Sequence, residues 1–189
     1  MVDENMKFAA KNVVETCLGV KQGAKFLIIT DTETKEIGEA IFTAGLEVGA
    51  ETILVVIKPR SRHGEEPPEP IAVMWPTVDV YVAPTKFSLT HTQARLKATE
   101  NGARGVTMPG ITKEIFTTTL AIDYSRVKEL VDKMADAMEG GKTVRITSPN
   151  GTDITMSIEG RKIFRDTGIV KERHGFGNLP ACLLYTSDA

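Results

Sequence analysis

Met6, Ala10, Val13, Val14, Cys17 and Leu18 recur at helical spacing, and the repeat predicts an amphipathic helix over residues 5–19 that stops near Gly19. Its single apolar stripe needs a sheet to cover. Phe26-Leu27-Ile28-Ile29 follows as a continuous apolar run bounded by Gly23 and Asp31, and Ile53-Leu54-Val55-Val56-Ile57 repeats the pattern after a helical stretch from Lys35 to Val48. Runs that are apolar on both faces suit buried parallel strands. Val78-Asp79-Val80-Tyr81-Val82-Ala83 makes a third strand and Gly105-Val106-Thr107 a fourth, with a helix from about Thr90 to Asn101 between them. Strand and helix alternate, which implies βαβ units. The fold class expected is α/β, a doubly wound mostly parallel sheet followed by the antiparallel start of a truncated second domain.

That change of character comes late in the chain. Asp123 is placed to cap a last long helix, whose stripe of Val127, Leu130, Val131, Met134 and Met138 ends at Gly140-Gly141. Val144-Arg145-Ile146-Thr147 and Ile154-Thr155-Met156-Ser157-Ile158 then alternate with period two around Ser148-Pro149-Asn150-Gly151, where Asn-Gly supplies the positive φ angles of a tight hairpin turn. The organisation expected is an N-terminal α/β domain over 1–140 and the beginning of a second domain over 141–181. The 49 residues from 141 onward are too few to bury a core without a partner or more chain. Lys58 to Pro70, with four prolines, reads as a charged mobile loop.

Composition narrows the function classes. Across 189 residues, 23 basic and 25 acidic side chains are interspersed and give a net charge of -2. Nucleic acid and anionic membranes demand clustered Lys and Arg, so neither is an expected partner. No apolar run approaches the roughly 18–20 residues that span a bilayer, and Met1-Val2-Asp3-Glu4-Asn5 lacks the basic start of a secretory signal. A cytoplasmic location is expected. Cys17 and Cys182 are too few for a disulfide framework, and His63, His91 and His174 too few for histidine-rich metal chemistry.

Ligands of open α/β sheets bind beyond the carboxyl ends of the strands, which directs attention to Thr30 to Thr34, Lys58 to Arg62 and Pro84 to Lys86. None contains a G-x-G-x-x-G or G-x-x-x-x-G-K-[ST] phosphate cradle, and Asp31 and Glu33 would repel a phosphate there. Asp31 and Thr34 therefore read as helix caps, and Cys17, on an apolar stripe, as a small core residue. Lys86 to Arg95 is the most suggestive stretch. Thr90 and Gln93 match a capping box, while His91 and Arg95 stand four apart on one helical face, as a solvated pair or as contacts to substrate or a second domain. Lys171-Glu172-Arg173-His174-Gly175-Phe176-Gly177-Asn178-Leu179-Pro180-Ala181 reads as a functional loop, because glycine-rich backbone with polar punctuation does not pack as core. No Ser-His-Asp, HExxH or paired-carboxylate signature can be assembled.

Together, Ser88-Leu89-Thr90-His91-Thr92-Gln93-Ala94-Arg95, Arg104 to Pro109, Ser148-Pro149-Asn150-Gly151-Thr152-Asp153 and Gly175-Phe176-Gly177-Asn178-Leu179-Pro180-Ala181 give the chain a family likeness. It resembles the thermophilic-type metalloaminopeptidases, the aminopeptidase T, aminopeptidase S and leucyl aminopeptidase group, from about residue 5 to Ala181. The resemblance implies a fragment of a metal-dependent aminopeptidase, a hydrolase releasing N-terminal amino acids from peptides. It also implies two divalent metal ions (Zn, Co or Mg) and a peptide substrate in the full-length enzyme, which is expected to be a homodimer. His91, Arg95 and Asn178 become candidate substrate or interdomain contacts. In that family GNLPA continues with Gly-Glu, the Glu being a metal ligand, whereas Cys182 and Leu183 stand here. Leu183 cannot ligate, so the chain as given is expected to hold no metal and to be inactive. Residues 182–189 resemble translated sequencing-adaptor read-through and are expected to be an artefactual tail, the alternative being a genuine diverged terminus. Iron-dependent ring-cleaving dioxygenases of dihydroxypyridines resemble the same family and form one alternative. A non-catalytic α/β binding or dimerisation module is another.

Overall fold

The computed structural model describes residues 4–186. Its strands are, in chain order, β1 Lys25–Asp31, β2 Glu51–Ile57, β3 Val80–Thr85, β4 Arg104–Pro109, β5 Thr143–Thr147, β6 Asp153–Ser157, β7 Phe164–Asp166, β8 Phe176–Asn178 and β9 Leu183–Tyr185. The helices are α1 Glu4–Lys11, α2 Lys35–Glu47, α3 Glu69–Met74, α4 Gln93–Glu100, α5 Lys113–Thr119 and α6 Tyr124–Met138. By packing, the chain divides into two compact units, one of residues up to Tyr124 with Gly168–Ala181, the other of Ser125–Thr167 with the residues from Cys182.

The first unit is built on a five-stranded sheet in the order β2-β1-β3-β4-β8, with every neighbouring pair parallel. This is the doubly wound α/β class expected from the alternation of apolar runs and helices. The two faces of β1 follow the period of two. Leu27 and Ile29 join Trp75, Tyr81, Ala83, Ala94 and Ala98 in one buried cluster with α3 and α4. Phe26 and Thr30 face α2 instead, where the absent side chains of Gly45 and Gly38 admit them: a Cβ on Gly38 would lie 2.8 Å from the Thr30 methyl. Strand β2 departs from expectation. Its apolar run reads as buried on both faces, yet Ile53 and Val56 are each 40% exposed, because β2 is an edge strand paired to β1 alone among the described residues.

The predicted 5–19 helix is α1 followed by a π-helical stretch, Asn12–Cys17. Within it buried Asn12 turns its amide to the Leu120 carbonyl at 3.0 Å and to that of Ile122. Arg104 closes the end by donating to the Leu18 and Gly19 carbonyls at 3.1–3.2 Å. Cys17 is wholly buried, and burial pushes its thiol up to about 12, as suits a core residue.

The expected boundary at 140–141 falls inside the second unit, after α6, and the expected second-domain segment 168–181 packs in the first. Backbone chemistry draws it there. Val170 N donates to Cys17 O at 2.7 Å, Gly105 N to Gly175 O at 3.1 Å and Leu179 N to Thr107 O at 3.0 Å, while Leu179 and Ala181 are buried. Gly168, at φ +71, is pressed so closely that a Cβ would stand 2.6 Å from the Tyr124 ring.

In the second unit β5 and β6 pair antiparallel, with Ile146 opposite Ile154 and Val144 opposite Met156. The hairpin occurs where alternation predicts it, with a different turn. Gly151 N donates to Ser148 O at 3.1 Å, a type I turn with Pro149 at its second position, and only Gly151 of the Asn-Gly pair takes a positive φ, +95. Strand β9 pairs antiparallel with β7, so Leu183–Tyr185 of the supposed tail has a place in a two-stranded ladder; residues 187–189 lie outside the described residues. Ile158, at the end of the hairpin, is 2% exposed. Among the described residues no helix is long and apolar enough to cross a membrane.

Candidate functional site

In the order β2-β1-β3-β4-β8 the winding reverses between β1 and β3, and the crevice at that reversal is the usual ligand position of such sheets. Here the protein's own polar groups fill it. Asp31 Oδ1 accepts from the Glu33 and Thr34 backbone N–H at 3.0 and 3.2 Å, and its Oδ2 accepts from Lys86 N at 2.7 Å. Thr34 Oγ1 donates across the gap to Pro84 O at 2.7 Å. Asp31 therefore closes the turn before α2 rather than capping the helix itself. Thr34 stands at the N-cap position without a side-chain cap bond, and its hydroxyl ties β1 to β3 instead.

The polar groups that remain open gather one step along the sheet, at the carboxyl ends of β4 and β8. Register places Thr107 directly beside Asn178. Thr107 Oγ1 donates to Asn178 Oδ1 at 2.6 Å and lies 2.7 Å from Thr90 Oγ1, which reaches the same Asn178 oxygen at 3.2 Å. Ser88 Oγ donates to Thr90 Oγ1 at 2.7 Å. Ser88, Thr90 and Thr107 are buried, and Asn178 is half-buried at the mouth of the cluster.

Local structure explains why the loop before α4 can supply these hydroxyls. The capping box expected from Thr90 and Gln93 is not used. Thr92 is the N-cap, its Oγ1 accepting from Arg95 N at 3.2 Å, and Glu66 accepts from Gln93 N and Ala94 N at 2.5 and 3.1 Å. A carboxylate on the first helical N–H groups is favourable both as a hydrogen-bond acceptor and against the helix dipole. With those donors satisfied, Thr90 is free to face the sheet. The 58–70 loop that supplies Glu66 is anchored rather than loose, because His63 Nδ1 accepts from Ser88 N at 3.0 Å and Gly64 N donates to Ser88 O at 2.8 Å.

Of the candidate contacts, Arg95 and Asn178 meet in this network and His91 does not. Arg95 is 8% exposed, so the expected solvated pair with His91 is not formed. Its Nε donates to Thr90 O at 2.7 Å and its guanidinium lies 4.2 Å over the Phe176 ring. His91 precedes α4 and points to solvent. Ser88, Thr107, Phe176 and Glu66 were not singled out by the sequence as members of one site. Ser88, Thr107 and Phe176 lay in the stretches that carry the family likeness, but no local pattern joined them to one another or to Glu66.

Among the described residues no three His, Cys, Asp or Glu side chains gather as a metal site, and Leu183 lies exposed on β9. The described residues do not fit a metal centre, and no chemical step is routed through one.

Three comparisons with known proteins bear on this arrangement. The family model described as NicX: 2,5-dihydroxypyridine 5,6-dioxygenase matches residues 5–189. The fold is similar to that of 2,5-dihydroxypyridine dioxygenase from Pseudomonas putida KT2440, with TM-score 0.68 and 12% identity over 96% of this chain and 56% of that one. It is also similar to AmpT from Thermus thermophilus, with TM-score 0.58 and 13% identity over 93% of this chain and 59% of that one. The chain thus spans somewhat more than half the length of each. No curated protein sequence matches. The likeness expected to the aminopeptidase T group holds for the fold. The expected activity, a hydrolytic metalloaminopeptidase with Zn, Co or Mg acting in proteolysis, is overturned by the family match, which favours the ring-cleaving dioxygenase alternative.

Proposed function

We propose, from the premise that the chain belongs to the family described as NicX: 2,5-dihydroxypyridine 5,6-dioxygenase, that it is part of an oxidoreductase that opens a dihydroxypyridine ring with dioxygen. The observation that carries this reading is the match of that family over residues 5–189. The full-length protein, on this reading, uses iron, held by ligands that lie outside the described residues of this chain. The contribution of this chain is to bind and orient. A half-buried amide and a partly exposed aromatic ring at the end of the sheet suit a flat, oxygen-bearing ring.

The decisive measurement is oxygen uptake by the full-length gene product with Fe(II) and 2,5-dihydroxypyridine, set against release of amino acids from peptides with Zn or Co. Consumption of oxygen with loss of the pyridine absorbance is expected. Peptide hydrolysis without oxygen uptake would refute the proposal. The 189-residue chain alone is expected to show neither activity.

A further inference from the structure

Asn178 has one polar atom that the protein leaves open. Its Oδ1 accepts from Thr107 and Thr90, at 2.6 and 3.2 Å, whereas no described residue accepts from its Nδ2. The hydroxyls fix which end of the carboxamide faces inward. Ser88 Oγ uses its proton on Thr90 Oγ1. The Thr90 proton is then left for Thr107 or Asn178, and the Thr107 proton for Asn178. All the hydroxyl protons run toward Asn178 and must end on an acceptor. An amide nitrogen in that place would set donor against donor, so the oxygen points in and the nitrogen points out. Hydrogen bonds aligned in one direction polarise one another, which makes the outward N–H a stronger donor than that of a free carboxamide.

The neighbourhood defines what this donor would meet. Phe176 lies two residues earlier on the same face of β8 and is partly exposed, with the Arg95 guanidinium 4.2 Å over its ring. Aromatic surface beside a lone, outward N–H donor matches a planar ring carrying a hydroxyl or oxo group. We infer that the Asn178 carboxamide donates to a ring oxygen of the substrate, and that Thr107 is the positioning residue that holds its nitrogen outward. The substrate class rests on the dioxygenase reading. The orientation of the amide rests only on the hydroxyl network.

The test titrates 2,5-dihydroxypyridine into the isotopically labelled 189-residue chain and follows the side-chain NH2 pair of Asn178, identified by its loss in Asn178→Asp. In the free chain this pair should exchange rapidly with water, and on titration it should shift saturably. Asn178→Asp keeps an oxygen for both threonine hydroxyls but removes the donor, so its dissociation constant should rise about tenfold or more while its melting temperature stays close to that of the parent. Thr107→Val should weaken binding by a smaller factor, with Thr107→Ser restoring it. Unchanged affinity in Asn178→Asp, an NH2 pair already protected in the free chain, or no saturable shift in the parent chain would each overturn the inference. The shift in the parent chain needs no variant to fold. Ring cleavage by the full-length protein together with unchanged Asn178→Asp affinity would sink this inference and leave the function standing. Asn178-dependent binding without ring cleavage would support the inference and sink the function.

Discussion

A Cβ added at Gly105 would stand 2.2 Å from the carbonyl oxygen of Tyr81 and 2.6 Å from its ring, far inside contact distance. The backbone there is β4 lying against β3, two strands with no room to part, because β1 and β8 pair on either side. Gly105→Ala must therefore force the ladder open rather than move a flexible tip. A loss of about 3 kcal/mol or more is expected, at the upper end for overpacking, and chemical denaturation of the variant beside the parent measures it. The same strand carries Thr107, so the glycine that lets β4 approach β3 also fixes the height at which the Thr107 hydroxyl meets Asn178. In sequence, Gly105 looks like a weak spot in a short strand. Its necessity lies in a contact 24 residues away, which no local pattern records.

Among the elements, α4 shows how a local rule can be satisfied by the wrong residue. Thr90-x-x-Gln93 obeys the capping-box spacing, but the helix begins at Gln93 and its first N–H groups are taken by Thr92 and by Glu66 from a distant loop. Two hydroxyls lie within reach of the same helix start, and the sheet recruits one of them. Thr92→Ala should cost about 1 kcal/mol through loss of the cap, with little change in the Ser88, Thr90 and Thr107 network. Thermal unfolding gives the stability change, and the unchanged side-chain amide signal of Asn178 checks that the network survives. The hairpin turn makes a related point: its position is legible from Ser148 to Gly151, whereas the type I geometry with only Gly151 at positive φ follows from how β5 and β6 register.

For the whole molecule, the consequence of the late return of 168–181 is that a cut at the Gly140-Gly141 punctuation would not release a complete unit. It would strip β8 from the sheet edge and expose the β4 backbone and the sites filled by Leu179 and Ala181, both buried. A chain of residues 1–140 should melt several degrees below the 189-residue chain, since β4 would lose its second neighbour and the exposed apolar area would have no cover. Differential scanning calorimetry on the two chains decides it; equal melting temperatures would show that 168–181 adds nothing to the first unit. Hydrogen exchange should rank β1, β3 and β4 as the slowest segments and β5–β6, whose residues are almost all exposed, as the fastest of the strands.

The doubly wound α/β class, the strands near residues 25–30, 53–57, 78–83 and 104–107 and the 142–158 hairpin are legible in the residue pattern, because hydrophobic period is a local property that secondary structure must obey. The sequence also brought out Arg95 and Asn178. Long-range packing sets the rest: β2 lies at an edge, Phe176 to Asn178 forms the fifth strand of the first sheet, and Thr90, Thr107 and Asn178 share one hydrogen-bond network. Those outcomes depend on pairing between segments up to 88 residues apart, as between Thr90 and Asn178. Three-residue β8 has too little length for a period, and its place comes from backbone groups on β4 that had no other partner.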